Sequence, residues 1–203
     1  MLIGLTLLSV SGCHLNRPAR YSCGESTTCG DPVIIFVGAS RDVAKMGRVP
    51  QLSEKFRECG YNATYFDPWR SLRDVDEVCD LIRMHRRRGS RVMVVGWSIG
   101  TVVGLKALHR LQKEGVDVDT FVEVDCFNLK RYMGDHVHPC NAHRVVVIRS
   151  SLNQPVEGYY RPAVHRLDTA WHLGVPHHER TVCVLKSEAN RIRTSSWRQA
   201  TQF

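Results

Sequence analysis

The 203-residue chain lacks an apolar stretch long enough to cross a bilayer as a helix. The apolar run near its start, Met1–Val10, is about half the ~20 residues such a helix needs. No Cys-x-x-Cys pair occurs, so a zinc ribbon or a thioredoxin-like redox site has no support. Gly-x-Gly-x-x-Gly and a lysine-bearing phosphate loop are also missing, which argues against dinucleotide and nucleotide binding. Net charge is +8, and its densest part is His85-Arg86-Arg87-Arg88 with Arg91 close behind. No aromatic residue interleaves with these arginines, and no recognition-helix or RNA-binding motif accompanies them. The run falls at an expected helix end, where cations suit the helix dipole, so it reads as a solvated terminus and not as a nucleic-acid surface. On a membrane-tethered protein it would also be attracted to anionic headgroups. What remains, 43% apolar and 24% charged residues, is the composition of a folded domain.

The short apolar start ends in Val10-Ser11-Gly12-Cys13 and turns polar at His14, Asn16, Arg17 and Pro18. Small residues directly before a cysteine mark a processing segment, and no Lys or Arg precedes it. The pattern resembles the lipobox of bacterial lipoprotein signal peptides. That resemblance implies residues 1–12 as the signal peptide, cleavage after Gly12, a lipid on Cys13, and an extracytoplasmic place on the bacterial cell envelope. Residues 13–31, aperiodic and carrying Asn, Pro, Ser, Thr and Gly, then read as a tether, and 32–203 as the folded domain. Of eight cysteines, seven remain if Cys13 carries lipid, so at least one thiol is free. An oxidising compartment permits Cys23 with Cys29 and Cys126 with Cys140, and spacing alone decides neither.

Val33-Ile34-Ile35-Phe36-Val37 is a continuous apolar, β-branched run ending in Gly38, the pattern of a strand buried on both faces. A helix over Pro50–Cys59, a strand over Tyr61–Phe66 and a helix over Asp74–Arg88 follow. Next come a strand over Arg91–Val95, a helix over Ile99–Lys113 stopped by Gly115, and strands over Thr120–Val124 and Val145–Ile148. Strands separated by helical stretches call for crossover connections, a mostly parallel sheet of roughly five strands and a three-layer α/β sandwich. After Ile148 the reading is a loop of about 30 residues, and a loop that long is usually functional. A final helix is expected over Glu179–Arg193.

The third expected strand runs straight into Gly96-Trp97-Ser98-Ile99-Gly100 and then into a helix. Gly-x-Ser-x-Gly has chemical meaning in this context, because a sharp strand-to-helix turn lifts the serine hydroxyl above the carboxyl edge of the sheet. Side chains at the flanking glycines would collide with the neighbouring strand and helix. A serine at a helix N-terminus also faces backbone N–H groups and a partial positive charge, which suit a developing oxyanion.

A serine hydroxyl needs a base oriented by a carboxylate. Asp125, ending Phe121-Val122-Glu123-Val124-Asp125, tops the fourth strand at the edge where ligands meet such sheets; Asp168 in the long segment is its rival. For the base, Gly174-Val175-Pro176-His177-His178 lies just before the final helix and can fold back over the sheet edge. His177 is preferred and His178 stays open. His165 and His172 rank lower because they precede the helix expected to fix the geometry. The aromatic residues Trp97, Tyr159, Tyr160 and Trp171 are candidates for lining an apolar acyl pocket.

The order Ser, Asp, His, with the elbow at Gly96–Gly100, resembles the α/β-hydrolase superfamily, and the small core is similar to its lipase-like and cutinase-like members. The resemblance covers roughly residues 33–195. It implies an oxyanion hole from the N–H of Ile99 and an N–H in the loop after the first strand, Ala39 or its neighbour Ser40; the usual His-Gly pair of that loop is Val37-Gly38 here. It implies a serine hydrolase acting on a carboxylic ester or related acyl substrate, small molecule or lipid, with no cofactor. The alternative is a non-catalytic envelope lipoprotein of the same fold that binds a partner or a cell-wall component. A third constellation, Asp135-His136-Val137-His138-Pro139-Cys140 with His143, carries metal-ligand types but has no second cluster to complete a site, so no metal is assigned.

Overall fold

A computed structural model of the chain describes residues 32–39, 47–67, 73–126, 129–135, 137–150, 156, 158–168 and 171–194. The expected signal peptide, Cys13, the tether with Cys23 and Cys29, Ser40 and His136 lie outside the described residues.

The strands are β1 (Pro32–Val37), β2 (Asn62–Phe66), β3 (Arg91–Trp97), β4 (Thr120–Val124), β5 (Val145–Ser150) and β6 (Ala163–Leu167). They form one sheet in the order β2-β1-β3-β4-β5-β6, every neighbouring pair parallel. Helices α1 (Val49–Glu58), α2 (Arg73–Arg87), α3 (Ile99–Gln112), α4 (Leu129–Met133) and α5 (Glu179–Thr194) complete the α/β architecture, with a 3-10 helix over His172–His177. Among the described residues the sheet has six strands, close to the roughly five expected. The sixth lies inside the long segment read as a loop, pairing Val147 with Val164 and Ile148 with His165. Its sequence, Ala-Val-His-Arg-Leu, has an exposed edge face and too little apolar character to signal a strand; pairing with β5 supplies what local sequence does not.

Strand alternation divides the core in two. Ile34, Phe36, Met93, Val95, Trp97, Val122, Val124, Val146 and Ile148 face α1 and α5, meeting Leu52, Phe56, Leu185 and Ile192. Val33, Ile35, Val92, Val94, Phe121, Val145 and Val147 face α2 and α3, meeting Val78, Ile82, Leu105 and Leu108. Both faces of β1, β3, β4 and β5 are therefore covered, which is why these strands read as continuous apolar runs. Each such side chain contributes about 1.5–3 kcal/mol on leaving water. Chain order reverses at β1, whose neighbours are β2 and β3, and the crevice at that switch point lies between Gly38-Ala39 and the start of α3.

The basic run ends α2 as expected, but it is not simply solvated. His85 is buried, and Arg86 reaches Asp117 at 2.7 Å and Asp119 at 3.5 Å.

Candidate active site

Ser98 has φ 54° and ψ −125°, a backbone conformation costing a non-glycine residue of order 1–3 kcal/mol. Its surroundings hold it there. The Ser98 N–H donates to the Val124 carbonyl at 3.0 Å, and the Thr101 hydroxyl donates to the Gly96 carbonyl at 2.8 Å. A Cβ on Gly96 would sit 2.5 Å from Thr101 Cα, and one on Gly100 would sit 2.2 Å from the Val37 oxygen and 2.4 Å from that of Gly38. Both glycines are thus sterically required, and the elbow is pressed against the end of β1, next to Ala39. Ile99 opens α3, so its N–H has no carbonyl of the helix to bond.

Asp125, fully buried, follows β4 with φ 49°. Its N–H donates to the Ile148 carbonyl at 2.8 Å, and its Oδ1 accepts the Ser150 N–H at 2.8 Å. Its Oδ2 lies 2.7 Å from Nδ1 of His172, whose Nε2 lies 3.2 Å from Ser98 Oγ. A carboxylate only accepts, so Nδ1 carries the proton and Nε2 offers its lone pair to the serine hydroxyl. Trp97 backs the imidazole, ring centroids 5.4 Å apart and planes at 24°.

The structure brings Ser98 and Asp125 together as expected, with His172 and not His177 or His178 between them. Neither His177 nor His178 occupies the position beside Ser98. The His177 Nε2–H donates to the Gly47 carbonyl at 2.7 Å, and His178 Nδ1 accepts the Arg180 N–H at 3.2 Å, closing the first turn of α5. The reason lies in the segment itself, which coils into a 3-10 helix beginning at His172 and anchored by buried Val175 and Pro176. The rigid element needed to fix an imidazole is this short coil, and His172 is its first residue. No local sequence pattern marked His172 for this position. Asp168 is exposed after the end of β6.

The proposed acyl-pocket aromatics do not converge. Trp97 is buried behind His172, and Tyr159 packs on the α2/α3 face of the sheet. Tyr160 is exposed beside His138, with ring centroids 6.1 Å apart. Trp171, which precedes His172, is 66% exposed. The metal-type constellation also disperses: His143 Nε2 meets Asp117 at 2.6 Å, His138 Nδ1 accepts the Tyr160 N–H at 3.3 Å, and Cys140 is exposed. No group of three metal-ligating side chains forms among the described residues. Cys126 and Cys140 are both free thiols, the first buried, so the pairing left open by the sequence does not form.

No protein-family model matches the sequence, and no curated protein does. Solved structures do resemble it in fold. The thioesterase domain of NocB from the nocardicin cluster superposes with TM-score 0.57 at 14% identity, covering 80% of this chain and 95% of that one. A structure of the metagenome-derived lipolytic enzymes LipS and LipT gives 0.54 at 10% identity, covering 83% and 96%. The esterase domain of a Rhodothermus marinus protein gives 0.54 at 13%, covering 83% and 89%. The chain therefore has an α/β-hydrolase-like fold, a fold found in thioesterases, esterases and lipases.

Proposed function

We propose that this protein is a serine hydrolase of carboxylic esters or related acyl compounds, with Ser98 as nucleophile, His172 as base and Asp125 as its orienting acid. One observation carries the reading: a serine on a strained elbow is joined through a single imidazole to a fully buried carboxylate. In the reaction His172 Nε2 takes the Ser98 proton as Oγ attacks the acyl carbon, and the imidazolium is stabilised by Asp125. The carbonyl oxygen, now negative, is received by the N–H of Ile99 at the N-terminus of α3 and that of Ala39 in the loop after β1. His172 then returns the proton to the leaving oxygen or sulfur, and water repeats the sequence to free the acid. The thioesterase and esterase folds it resembles support an acyl substrate. Cleavage after Gly12 and lipid attachment at Cys13 would place this chemistry at the envelope surface, which metabolic labelling with a fatty-acid probe checks by comparing the wild type with Cys13→Ser.

The decisive experiment is reaction with a fluorophosphonate probe, followed by turnover of p-nitrophenyl esters of increasing chain length. The expected result is a single adduct on Ser98 that Ser98→Ala abolishes. A folded wild-type protein that forms no Ser98 adduct overturns the hydrolase reading and leaves the non-catalytic binding protein in its place.

A further inference from the structure

Asp125 is a non-glycine residue in the left-handed region, yet it must present Oδ2 to His172 within hydrogen-bonding distance. Three consecutive residues of β5 hold the turn that does this. The Ile148 carbonyl accepts the Asp125 N–H, the Ser150 N–H donates to Asp125 Oδ1, and the Arg149 guanidinium between them donates to the carbonyl of Cys126, the residue after Asp125. In two of these β5 contributes only main-chain groups, which any residues at those positions would supply. The third depends on one side chain, and that side chain is expensive to place. Arg149 is 6% exposed, and its second nitrogen lies 2.6 Å from Glu123, which is fully buried. A buried ion pair is weak evidence for stability, because desolvation offsets most of the attraction. Well-packed apolar residues would serve a sheet of this kind at least as well, so the pair calls for another role.

We propose that Arg149 is a positioning residue for the acid: by bonding the Cys126 carbonyl it fixes the turn after β4 and so aims the Asp125 carboxylate at His172. Glu123 completes the arrangement by giving the guanidinium its counter-charge inside the sheet. The inference rests on the hydrolase reading for its functional meaning, while the effect on the Asp125–His172 pair is measurable without turnover.

Arg149→Met removes the bond to Cys126. Burial already pushes the Glu123 carboxyl up, against the opposing pull of Arg149, so without Arg149 it takes up a proton in place of remaining an unpaired anion. The double variant Glu123→Gln with Arg149→Met removes both charges and covers the case in which the single variant fails to fold. In the wild type, the Nδ1–H of His172 is expected as a downfield proton resonance that Asp125→Asn abolishes. In the Arg149 variants this resonance should weaken, because a misaligned carboxylate holds the Nδ1–H less well. The rate of fluorophosphonate labelling should fall about 10- to 100-fold, the scale of loss from slight misplacement, and Arg149→Lys should recover part of it. Folded variants with an unchanged resonance and labelling rate overturn the proposal. A wild-type chain that takes no label at Ser98 fails the hydrolase reading separately, and the resonance still decides what Arg149 does to the pair.

Discussion

The indole of Trp97 lies nearly parallel to the imidazole of His172, with ring centroids 5.4 Å apart and planes inclined by 24°. In the proposed reaction that imidazole becomes a cation against the face of a buried indole, where cation–π attraction contributes about 0.5–2 kcal/mol. The imidazolium forms on the way to the transition state, so the attraction acts chiefly there. Trp97→Leu should lower kcat about 2- to 30-fold with a smaller change in KM, and Trp97→Phe should retain more of the rate. Steady-state kinetics on a p-nitrophenyl ester measures both. Equal loss in the Leu and Phe variants would remove the ring face from the argument.

His172 and His177 stand five positions apart on one short coil, yet only His172 meets Ser98. His172→Ala should cost at least about 1,000-fold in kcat/KM, the scale for losing the base of a hydrolytic triad. His178→Ala should cost little, because its imidazole only receives a backbone N–H at the start of α5. His177→Ala falls between them. Its hydrogen bond holds the Gly47 carbonyl, and Gly47 in turn lies so close to the Trp97 ring that a Cβ there would be 2.1 Å from it. Adduct mapping with the fluorophosphonate on all three variants ranks them.

The glycines of the elbow separate steric need from mere helix preference. Gly96→Ala and Gly100→Ala each place a methyl within 2.5 Å of main-chain atoms, and backbone cannot swing aside as a side chain can. Each should destabilise by about 1–3 kcal/mol, as overpacked sites do, and should slow Ser98 labelling as well. Gly104, one turn further along α3, has only the Phe121 ring at 3.2 Å. There the helical preference of Ala over Gly, about 1 kcal/mol, offsets the crowding, so Gly104→Ala should shift stability by less than about 1 kcal/mol and leave labelling unchanged. Urea unfolding with parallel labelling tests the contrast.

The central strands were legible because both faces are buried, so Val33–Val37 and Val92–Val95 carry uninterrupted apolar runs. Ser98 and Asp125 were legible for a related reason: each sits where such a run stops, at the carboxyl edge of a strand whose end the sequence marks. His172 follows β6, an edge strand with a half-exposed face and weak patterning, so nothing local marked where the chain turned back toward the site. The choice of His177 assumed that α5 would fix the base. In the structure the histidine beside Ser98 opens a 3-10 helix instead, whose period leaves no helical pattern in six residues. The Arg149–Glu123 pair was hidden by the opposite effect, since a charged residue inside an apolar strand reads as an interruption until its partner on the adjacent strand is known.

Stability should fall on mild acidification, with His85 a main contributor. Burial lowers the basicity of this imidazole, Arg88 nearby lowers it further, and the ring sits at the end of α2 with only 3% exposure. His138 and His165 are shifted the same way, burial again being the largest cause. A depressed value in the folded state means that the unfolded chain binds more protons between the folded and the ordinary imidazole values. Unfolding is then increasingly favoured as pH drops below about 6.5, the ordinary imidazole value. Buried Glu123 is shifted upward and acts in the opposite sense, from the ordinary carboxyl value upward, one group against three histidines. Thermal unfolding followed from pH 7.5 to 5.5 should therefore show a falling midpoint. His85→Gln, which cannot take up a proton, should flatten that slope; an unaltered slope would transfer the effect to His138 and His165.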